Sequence, residues 1–324
     1  MSMTDILMTK PMLPSIADAL DAHFTLHRLW EAKDPDAYLR EIGPRIRGLA
    51  TGASHGGTGA ALLDRLPNME IIATYGVGYD NVDVTDAARR GIVVTNTPGV
   101  LNDEVADLTL GLLIATLRQI PQADRYLREG RWPAAPFPLS PTLRGRRIGI
   151  VGLGRIGKAI AKRLEGFGVD IAYHGRSRQH DVAYPYYPTL IGLAEASDVL
   201  IAITPGGAGT KHLIDAAVMK ALGPDGVLIN VARGSVVDEQ ALIEALRNGT
   251  ILAAGLDVFE DEPRVPQELI ELDNAVLLPH IASASVHTRK AMGQLLVDNL
   301  IAWFDGKGPL SPVAETPWRP AGET

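Results

Sequence analysis

The chain has 324 residues, a formal net charge of -7 and no cysteine. The length suggests about two domains, and the missing cysteines exclude disulfides, thiolate catalysis and cysteine-ligated metal clusters. The acidic balance argues against general nucleic-acid binding. The N-terminus lacks the apolar core of a signal peptide, and no apolar run reaches the roughly 20 residues of a membrane helix. We therefore expect a cytoplasmic protein with no membrane partner and no metal site.

The first hundred residues alternate short strand-like runs with helical patterns. Strands are predicted at 6–8, 24–29, 46–50, 70–74 and 92–95, and helices at 15–22, 36–42, 59–66 and 85–90. Because this alternation is typical of a parallel sheet covered on both faces, we expect a complete small α/β domain.

A long helical pattern follows from 102 to about 128, and Pro121 inside it is expected to bend or break the helix. Next comes a proline-rich segment that carries Trp132 and Phe137. Loops of this length inside a compact enzyme are usually functional and often form oligomer contacts.

A second α/β series starts at Arg147. Its strands are predicted at 148–151, 169–174, 198–203, 226–231, 252–257 and 275–278, and its helices at 156–167 and 238–247, before a last helix at 285–304. Six strands with crossovers make a doubly wound sheet of the dinucleotide-binding type. The predicted fold class is therefore α/β, with two doubly wound parallel-sheet domains. A Rossmann-type cofactor domain at 99–283 is inserted in a flavodoxin-like substrate domain formed by 1–98 and 284–324.

The segment RRIGIVGLGRIGKAIAKRL contains a G-x-G-x-x-G motif at Gly152, Gly154 and Gly157. An apolar strand precedes the motif and an amphipathic helix follows it, which favours a dinucleotide site over an ordinary turn. In this interpretation Gly152 permits the tight turn, Gly154 lets the backbone approach a pyrophosphate, and Gly157 allows close packing of helix and strand.

The end of the next strand indicates which dinucleotide is bound. NAD enzymes usually carry Asp or Glu there, about 20 residues past the motif, whereas this chain continues with Arg176, Ser177 and Arg178. Two guanidinium groups and a hydroxyl suit a 2′-phosphate. We therefore predict NADP(H), with a solvated basic turn as the alternative.

Three polar side chains follow apolar strands in the second half of the chain: Arg233, Glu262 and His280. The carboxyl ends of parallel strands in doubly wound sheets are where ligands bind. His280 suits a proton donor to a developing alkoxide, Arg233 suits binding of a carboxylate next to a carbonyl, and Glu262 suits stabilising the charged imidazole. Each residue alone has a structural explanation, but together they indicate reduction of a 2-keto acid.

The motifs resemble those of the D-isomer-specific 2-hydroxyacid dehydrogenases, and within them the glyoxylate/hydroxypyruvate reductases. The resemblance covers nearly the whole chain, through YGVGYDNVD, NTPGVLNDEVADLTLGLLIA, GIVGLGRIG, NVARGSVVDEQAL, GLDVFEDEP and LPHIASASVHTRKAM in the family's order. It implies an NADPH-dependent enzyme that reduces small 2-keto acids to D-2-hydroxy acids, with Arg233, Glu262 and His280 in the roles given above.

The resemblance also implies further contacts and a partner. Backbone N–H groups of Val77 and Gly78 are expected to bind the substrate carboxylate. The family's cofactor contacts fall on Arg155, Ile156, Thr204, Pro205, Thr210, Val231, Asp257 and Ala282, with Asp257 at the nicotinamide carboxamide. The family further implies a homodimer held by the helix and loop at about 99–144.

One departure bears on substrate range. Many hydroxypyruvate reductases carry a second tryptophan shortly after the position of Trp132, and this chain has Ala135 or Pro136 there. A roomier pocket that accepts aromatic 2-keto acids is a hypothesis that follows.

Alternatives stay open. The chain resembles phosphoglycerate and D-lactate dehydrogenases as well, and some relatives are NAD(P)-sensing scaffolds that bind partner proteins. Formate dehydrogenases are also similar but have Gln where Glu262 stands, which argues against them.

Overall fold

A computed structural model describes residues 3–52, 58–316 and 318. The chain forms two compact units: the first ends at Leu101 and resumes at Ser285, and the second runs from Asn102 to Ala284. The domain boundaries expected from the sequence lie at Pro98 and Ser283.

The first unit contains a five-stranded sheet in which every pairing is parallel. Its strands are β1 (Asp5–Met8), β2 (Thr25–Arg28), β3 (Ile46–Gly52), β4 (Ile71–Tyr75) and β5 (Val93–Thr95). Their spatial order is β2-β1-β3-β4-β5, which is the flavodoxin-like order.

Within the described part of this unit, five helices cover the sheet: α1 (Pro14–His23), α2 (Pro35–Ile42), α3 (Ala60–Leu63), α4 (Val84–Arg89) and, after the second unit, α12 (Val286–Phe304). Aspartate side chains cap the N-termini of α2 and α4: Asp34 accepts a hydrogen bond from the Ala37 N–H, and Asp83 accepts one from the Asp86 N–H. Leu296 and Leu300 of α12 are buried in one core cluster with Ile6 of β1, so the last helix belongs to the first unit.

The second unit contains seven parallel strands: β6 (Arg147–Val151), β7 (Asp170–His174), β8 (Tyr186–Tyr187), β9 (Val199–Ala202), β10 (Val227–Asn230), β11 (Ala253–Leu256) and β12 (Ala275–Leu277). Their order is β12-β11-β10-β9-β6-β7-β8, in which β6 and β9 meet at the switch point of a doubly wound sheet. The prediction of two doubly wound domains is confirmed. The count of six strands was wrong, because Tyr186 and Tyr187 form a short edge strand on β7.

The helices of the second unit are α5 (Asn102–Arg118), α6 (Ile120–Arg128), α7 (Arg155–Glu165), α8 (Leu190–Glu195), α9 (Ala216–Leu222), α10 (Glu239–Arg247) and α11 (Gln267–Ile270). The expected break in the long helix falls at Gln119, which has a left-handed φ of 50°, and not at Pro121. Pro121 lies in the first turn of α6, where its missing N–H costs no hydrogen bond.

Strands β9, β10 and β11 are buried along their whole length, and a core cluster of apolar side chains covers each face of the sheet. Polar side chains that follow these strands therefore emerge together at one edge of the sheet. Among the described residues, no helix is both long and apolar enough to span a membrane.

Candidate active site

The glycine-rich loop runs from the end of β6 into α7. Gly152 has a φ of 101°, and a Cβ at this residue would lie 2.9 Å from the carbonyl oxygen of Ile203. A Cβ on Gly157 would lie 2.3 Å from the carbonyl oxygen of Gly152. Glycine is needed at both positions, and the loop and helix consequently lie tight against the sheet.

Gly154 differs, because among the described residues no atom lies within 4 Å of the position that its Cβ would take. It directly precedes α7, whose first residue, Arg155, is exposed, and no side chain of the described residues caps this helix. Free N–H groups at a helix N-terminus favour phosphate groups. The loop, with Ile156 half-buried behind it, thus has the open surface and the donors that a pyrophosphate requires.

The loop after β7 carries Arg176, Ser177 and Arg178, and all three residues are exposed. Within the part of the chain that the structure describes, neither guanidinium forms an ion pair. The first carboxylate after the strand is Asp181, which Lys158 binds at 2.6 Å and whose pKa that hydrogen bond lowers. The residues present at this loop therefore fit a 2′-phosphate, and no acid lies where it would receive the ribose hydroxyls of NAD.

The loop after β9 is closed by a threonine hydroxyl. Thr210 Oγ1 lies 2.7 Å from the carbonyl oxygen of Pro205, to which it donates, and 3.2 Å from that of Gly207. Thr204 starts the same loop, and Val231 is buried just after β10. These residues line the carboxyl edge of the sheet, as does the glycine-rich loop.

His280 and Glu262 are in direct contact. Nδ1 of His280 lies 2.7 Å from Oε2 of Glu262, and the other carboxylate oxygen accepts a hydrogen bond of 3.1 Å from the Phe259 N–H. The carboxylate is 16% exposed and the imidazole 34% exposed. Because the carboxylate holds Nδ1, Nε2 is the ring nitrogen that can face a substrate.

Asp257 holds the segment that carries His280. Its two carboxylate oxygens accept hydrogen bonds from the N–H groups of Ile281 (2.7 Å) and Ala282 (2.8 Å), and its carbonyl oxygen accepts one from the His280 N–H (2.9 Å). Burial raises the pKa of Asp257, and the two N–H groups oppose that rise. His280 has a φ of 52°, and such a left-handed backbone persists only where its surroundings hold it.

Arg233 lies in a turn fixed from two sides. Asn230, the last residue of β10, is 1% exposed; its side-chain amide donates to the Arg233 carbonyl oxygen at 3.0 Å and accepts from the Ala232 N–H at 3.1 Å. On the other side, a Cβ on Gly234 would lie 1.8 Å from the carbonyl carbon of Phe259. The Arg233 turn is thus packed on the segment that leads to Glu262, and the Arg233 guanidinium donates to the Ala232 carbonyl oxygen at 2.8 Å.

Val77 and Gly78 belong to the first unit, in the turn that follows β4. The side-chain amide of Asn96 donates to the Val77 carbonyl oxygen at 2.8 Å. This bond joins the turn to the residue that follows β5.

Sequence reasoning missed two side chains that shape the site, Asn230 and Gln179. Gln179 follows the loop of Arg176, Ser177 and Arg178, hereafter the arginine loop, and its side-chain amide donates to the Leu153 carbonyl oxygen in the glycine-rich loop. The sequence offers only a weak signal for them, because each is a polar residue adjacent to a predicted cofactor contact: Asn230 precedes Val231, and Gln179 follows Arg178.

An imidazole held by a carboxylate suits proton transfer, and a sheet of this order with an open glycine-rich loop suits a dinucleotide. Together they define a nicotinamide-dependent oxidoreductase. Residues 110–282 match the family model described as D-isomer specific 2-hydroxyacid dehydrogenase, NAD binding domain. The chain belongs to the D-isomer specific 2-hydroxyacid dehydrogenase family, as the motifs predicted.

Named relatives are similar over almost the whole chain. The chain is 47% identical to glyoxylate/hydroxypyruvate reductase A of Arabidopsis thaliana and 46% identical to hydroxyphenylpyruvate reductase of Plectranthus scutellarioides, in each case over 95% of this chain and 98% of the relative. A crystal structure of the NADPH-dependent glyoxylate/hydroxypyruvate reductase of Sinorhizobium meliloti, in complex with NADP and malonate, is 53% identical with a TM-score of 0.93. That match covers 98% of this chain and 99% of the other.

Proposed function

We propose that this chain is an NADPH-dependent reductase of small 2-keto acids, glyoxylate and hydroxypyruvate first among them, which it converts to D-2-hydroxy acids. The observation that carries the proposal is the Glu262–His280 pair at 2.7 Å, packed next to the Arg233 turn. The names of the Arabidopsis and Sinorhizobium relatives support this substrate class.

His280 is assigned the proton transfer. Its Nδ1 is held by Glu262, so the proton on Nε2 passes to the carbonyl oxygen as that oxygen becomes an alkoxide. The Glu262 carboxylate also fixes the orientation of the ring for this transfer. A nicotinamide bound at this edge supplies the hydride.

Arg233 is assigned to the substrate. Its guanidinium forms charge-assisted hydrogen bonds with the carboxylate of the 2-keto acid and polarises the neighbouring carbonyl. Binding of a substrate carboxylate by the backbone N–H groups of Val77 and Gly78 stays a prediction from the motif. Arg233→Ala is therefore expected to raise KM for the keto acid and to lower kcat.

The cofactor is assigned to the carboxyl edge of the second sheet. Gly152, Gly154 and Gly157, with Arg155 and Ile156, would hold the pyrophosphate at the start of α7. The arginine loop would hold the 2′-phosphate. The other predicted cofactor contacts are Thr204, Pro205, Thr210, Val231, Ala282 and, at the nicotinamide carboxamide, Asp257.

The first experiment follows NADPH oxidation at 340 nm with a panel of 2-keto acids, with each acid also tested against NADH. Glyoxylate and hydroxypyruvate should be reduced with NADPH, and chiral analysis of the glycerate formed should give the D isomer. His280→Ala is the inactive control. A protein that binds NADPH but oxidises it with no 2-keto acid would instead be an NAD(P)-sensing scaffold, whereas activity confined to pyruvate or phosphohydroxypyruvate would identify one of the other family substrates.

A second candidate substrate class is aromatic. Residues 132–136 are exposed, and Ala135 or Pro136 stands where many hydroxypyruvate reductases carry a second tryptophan. The 46% identity to hydroxyphenylpyruvate reductase supports the same possibility. Phenylpyruvate and 4-hydroxyphenylpyruvate therefore belong in the panel, and background rates with both would remove this candidate.

We also propose a homodimer formed through α6 and the loop after it. Four large apolar side chains are exposed there: Ile120 (50%), Leu127 (55%), Trp132 (65%) and Leu139 (101%). Exposed apolar groups in this number mark an interaction surface. Light scattering should give twice the mass of one chain, and Leu127→Asp combined with Trp132→Ala should shift it toward one chain.

A cytoplasmic location is proposed as well, since a reductase of this kind needs a supply of NADPH. Fractionation of the native host, with the protein detected by antibody next to a cytoplasmic marker, tests it. Recovery with another fraction would contradict the proposal.

A further inference from the structure

The arginine loop is held at its far end by three hydrogen bonds of Gln179, one of which its carbonyl oxygen accepts from the Tyr173 hydroxyl at 3.5 Å. The side-chain amide Nε2 donates to the Leu153 carbonyl oxygen at 2.6 Å, and the backbone N–H donates to the Tyr173 hydroxyl at 2.7 Å. Leu153 is 2% exposed and Tyr173 is 1% exposed. Both residues that hold Gln179 are therefore buried. Arg176 and Arg178, by contrast, are exposed to solvent.

The near end of the same loop is also braced. The Tyr186 hydroxyl donates to the Gly175 carbonyl oxygen at 3.2 Å. The loop thus spans only a few residues between two hydrogen-bonded ends, and its backbone has little freedom to move relative to β7.

The side-chain bond of Gln179 has a particular consequence, because Leu153 lies between Gly152 and Gly154 of the glycine-rich loop. NADP(H) carries its pyrophosphate and its 2′-phosphate on one ribose, so the separation of these two groups varies little. A protein that binds both must keep its two phosphate-binding loops at a matching separation. The Gln179 amide joins the two loops directly.

We propose that Gln179 is a positioning residue that determines cofactor specificity, because its amide sets the distance between the pyrophosphate loop and the 2′-phosphate loop. The proposal rests on the role given above to Arg176 and Arg178. Preorganised donors bind more tightly than donors that must be ordered on binding. NAD(H) lacks the 2′-phosphate, so it gains nothing from this spacing.

The test measures dissociation constants of NADP⁺ and NAD⁺ for the cofactor-free protein by isothermal titration calorimetry. Gln179→Met keeps the length of the side chain and removes the amide. It is expected to raise the Kd of NADP⁺ about two- to tenfold, as the loss of one hydrogen bond implies, and to leave the Kd of NAD⁺ within about twofold. Tyr173→Phe removes only the hydroxyl and should shift the same ratio in the same direction.

Tyr184→Phe is the matched control. The Tyr184 hydroxyl donates to Glu165 on α7 at 2.7 Å, outside the arginine loop, so its removal should leave the ratio of the two Kd values unchanged. A purely structural role for Gln179 would raise both Kd values alike, and that result would overturn the proposal.

The double variant Arg176→Ala/Arg178→Ala separates two kinds of failure. If it abolishes the preference for NADP⁺ while Gln179→Met and Tyr173→Phe keep it, the positioning role is wrong and the 2′-phosphate site stands. If the double variant keeps the preference as well, the 2′-phosphate is bound elsewhere and both proposals fall.

Discussion

Gly234→Ala is expected to damage catalysis through the backbone alone, because it adds one methyl group next to the catalytic segment. The new Cβ would lie 1.8 Å from the carbonyl carbon of Phe259, 2.0 Å from its oxygen and 2.3 Å from the Glu260 nitrogen. All three are backbone atoms, so no side chain can rotate away. Ordinary contact begins at 3.4 Å, and the two segments must therefore separate by about 1.6 Å.

That separation acts on both sides of the site. The turn that carries Arg233 lies on one side, and the Phe259 N–H that binds Glu262 lies on the other. Overpacking of this kind costs about 1–3 kcal/mol of unfolding free energy, and a displacement of about 1 Å at a catalytic group lowers the rate by up to roughly 100-fold. We expect kcat/KM for glyoxylate to fall by roughly 10- to 100-fold.

Steady-state kinetics, NADP⁺ calorimetry and urea unfolding distinguish this effect from general damage. Gly59→Ala makes the same substitution where, among the described residues, no atom lies within 4 Å of the added carbon, and it should leave kcat/KM unchanged. A Gly234→Ala protein with wild-type kinetics and stability would refute the argument that this glycine sets the site.

Three further outcomes are expected. His280→Ala should lower kcat about 100- to 10,000-fold with an NADP⁺ Kd within about twofold of wild type in calorimetry; substantial residual turnover would contradict proton donation by this residue. Asn230→Ala removes both bonds that fix the Arg233 turn, so it should cost about 1–3 kcal/mol in urea unfolding and raise KM for the keto acid; an unchanged KM would show that the turn holds without it. Burial, together with the hydrogen bond to Glu165, raises the pKa of Tyr184 to about 12, above the value of about 10 in an unfolded chain. The contribution of Tyr184 to stability is therefore complete below pH 10 and lost as the pH rises through 12. Over that interval the free energy of unfolding should fall less for Tyr184→Phe than for wild type, and parallel curves of unfolding free energy against pH would contradict the raised pKa.

Much of the fold was accessible from the sequence because its signals are local. Strands β9 and β10 are continuous apolar runs, as buried parallel strands usually are. β8 has no such signal, since Tyr186 and Tyr187 become a strand only by pairing with β7. The break after α5 was misplaced for a related reason: Pro121 is compatible with the first turn of a helix, so the helix ends where Gln119 adopts a left-handed backbone.

The residues of the candidate site likewise fall into those that the sequence predicts and those that it does not. Glu262 and His280 each follow an apolar strand, and strand ends in a parallel sheet converge, so their contact could be predicted. Asn230 and Gln179 bind backbone atoms whose positions depend on the folded loops. A side chain that acts through such a bond leaves no spacing pattern in the sequence.

The clamp that Asp257 forms on Ile281 and Ala282 lies wholly within residues 102–284, together with the acid–imidazole pair that it steadies. The proton donor is consequently assembled by one unit from its own residues. Its geometry therefore depends on hydrogen bonds whose two ends belong to the same unit.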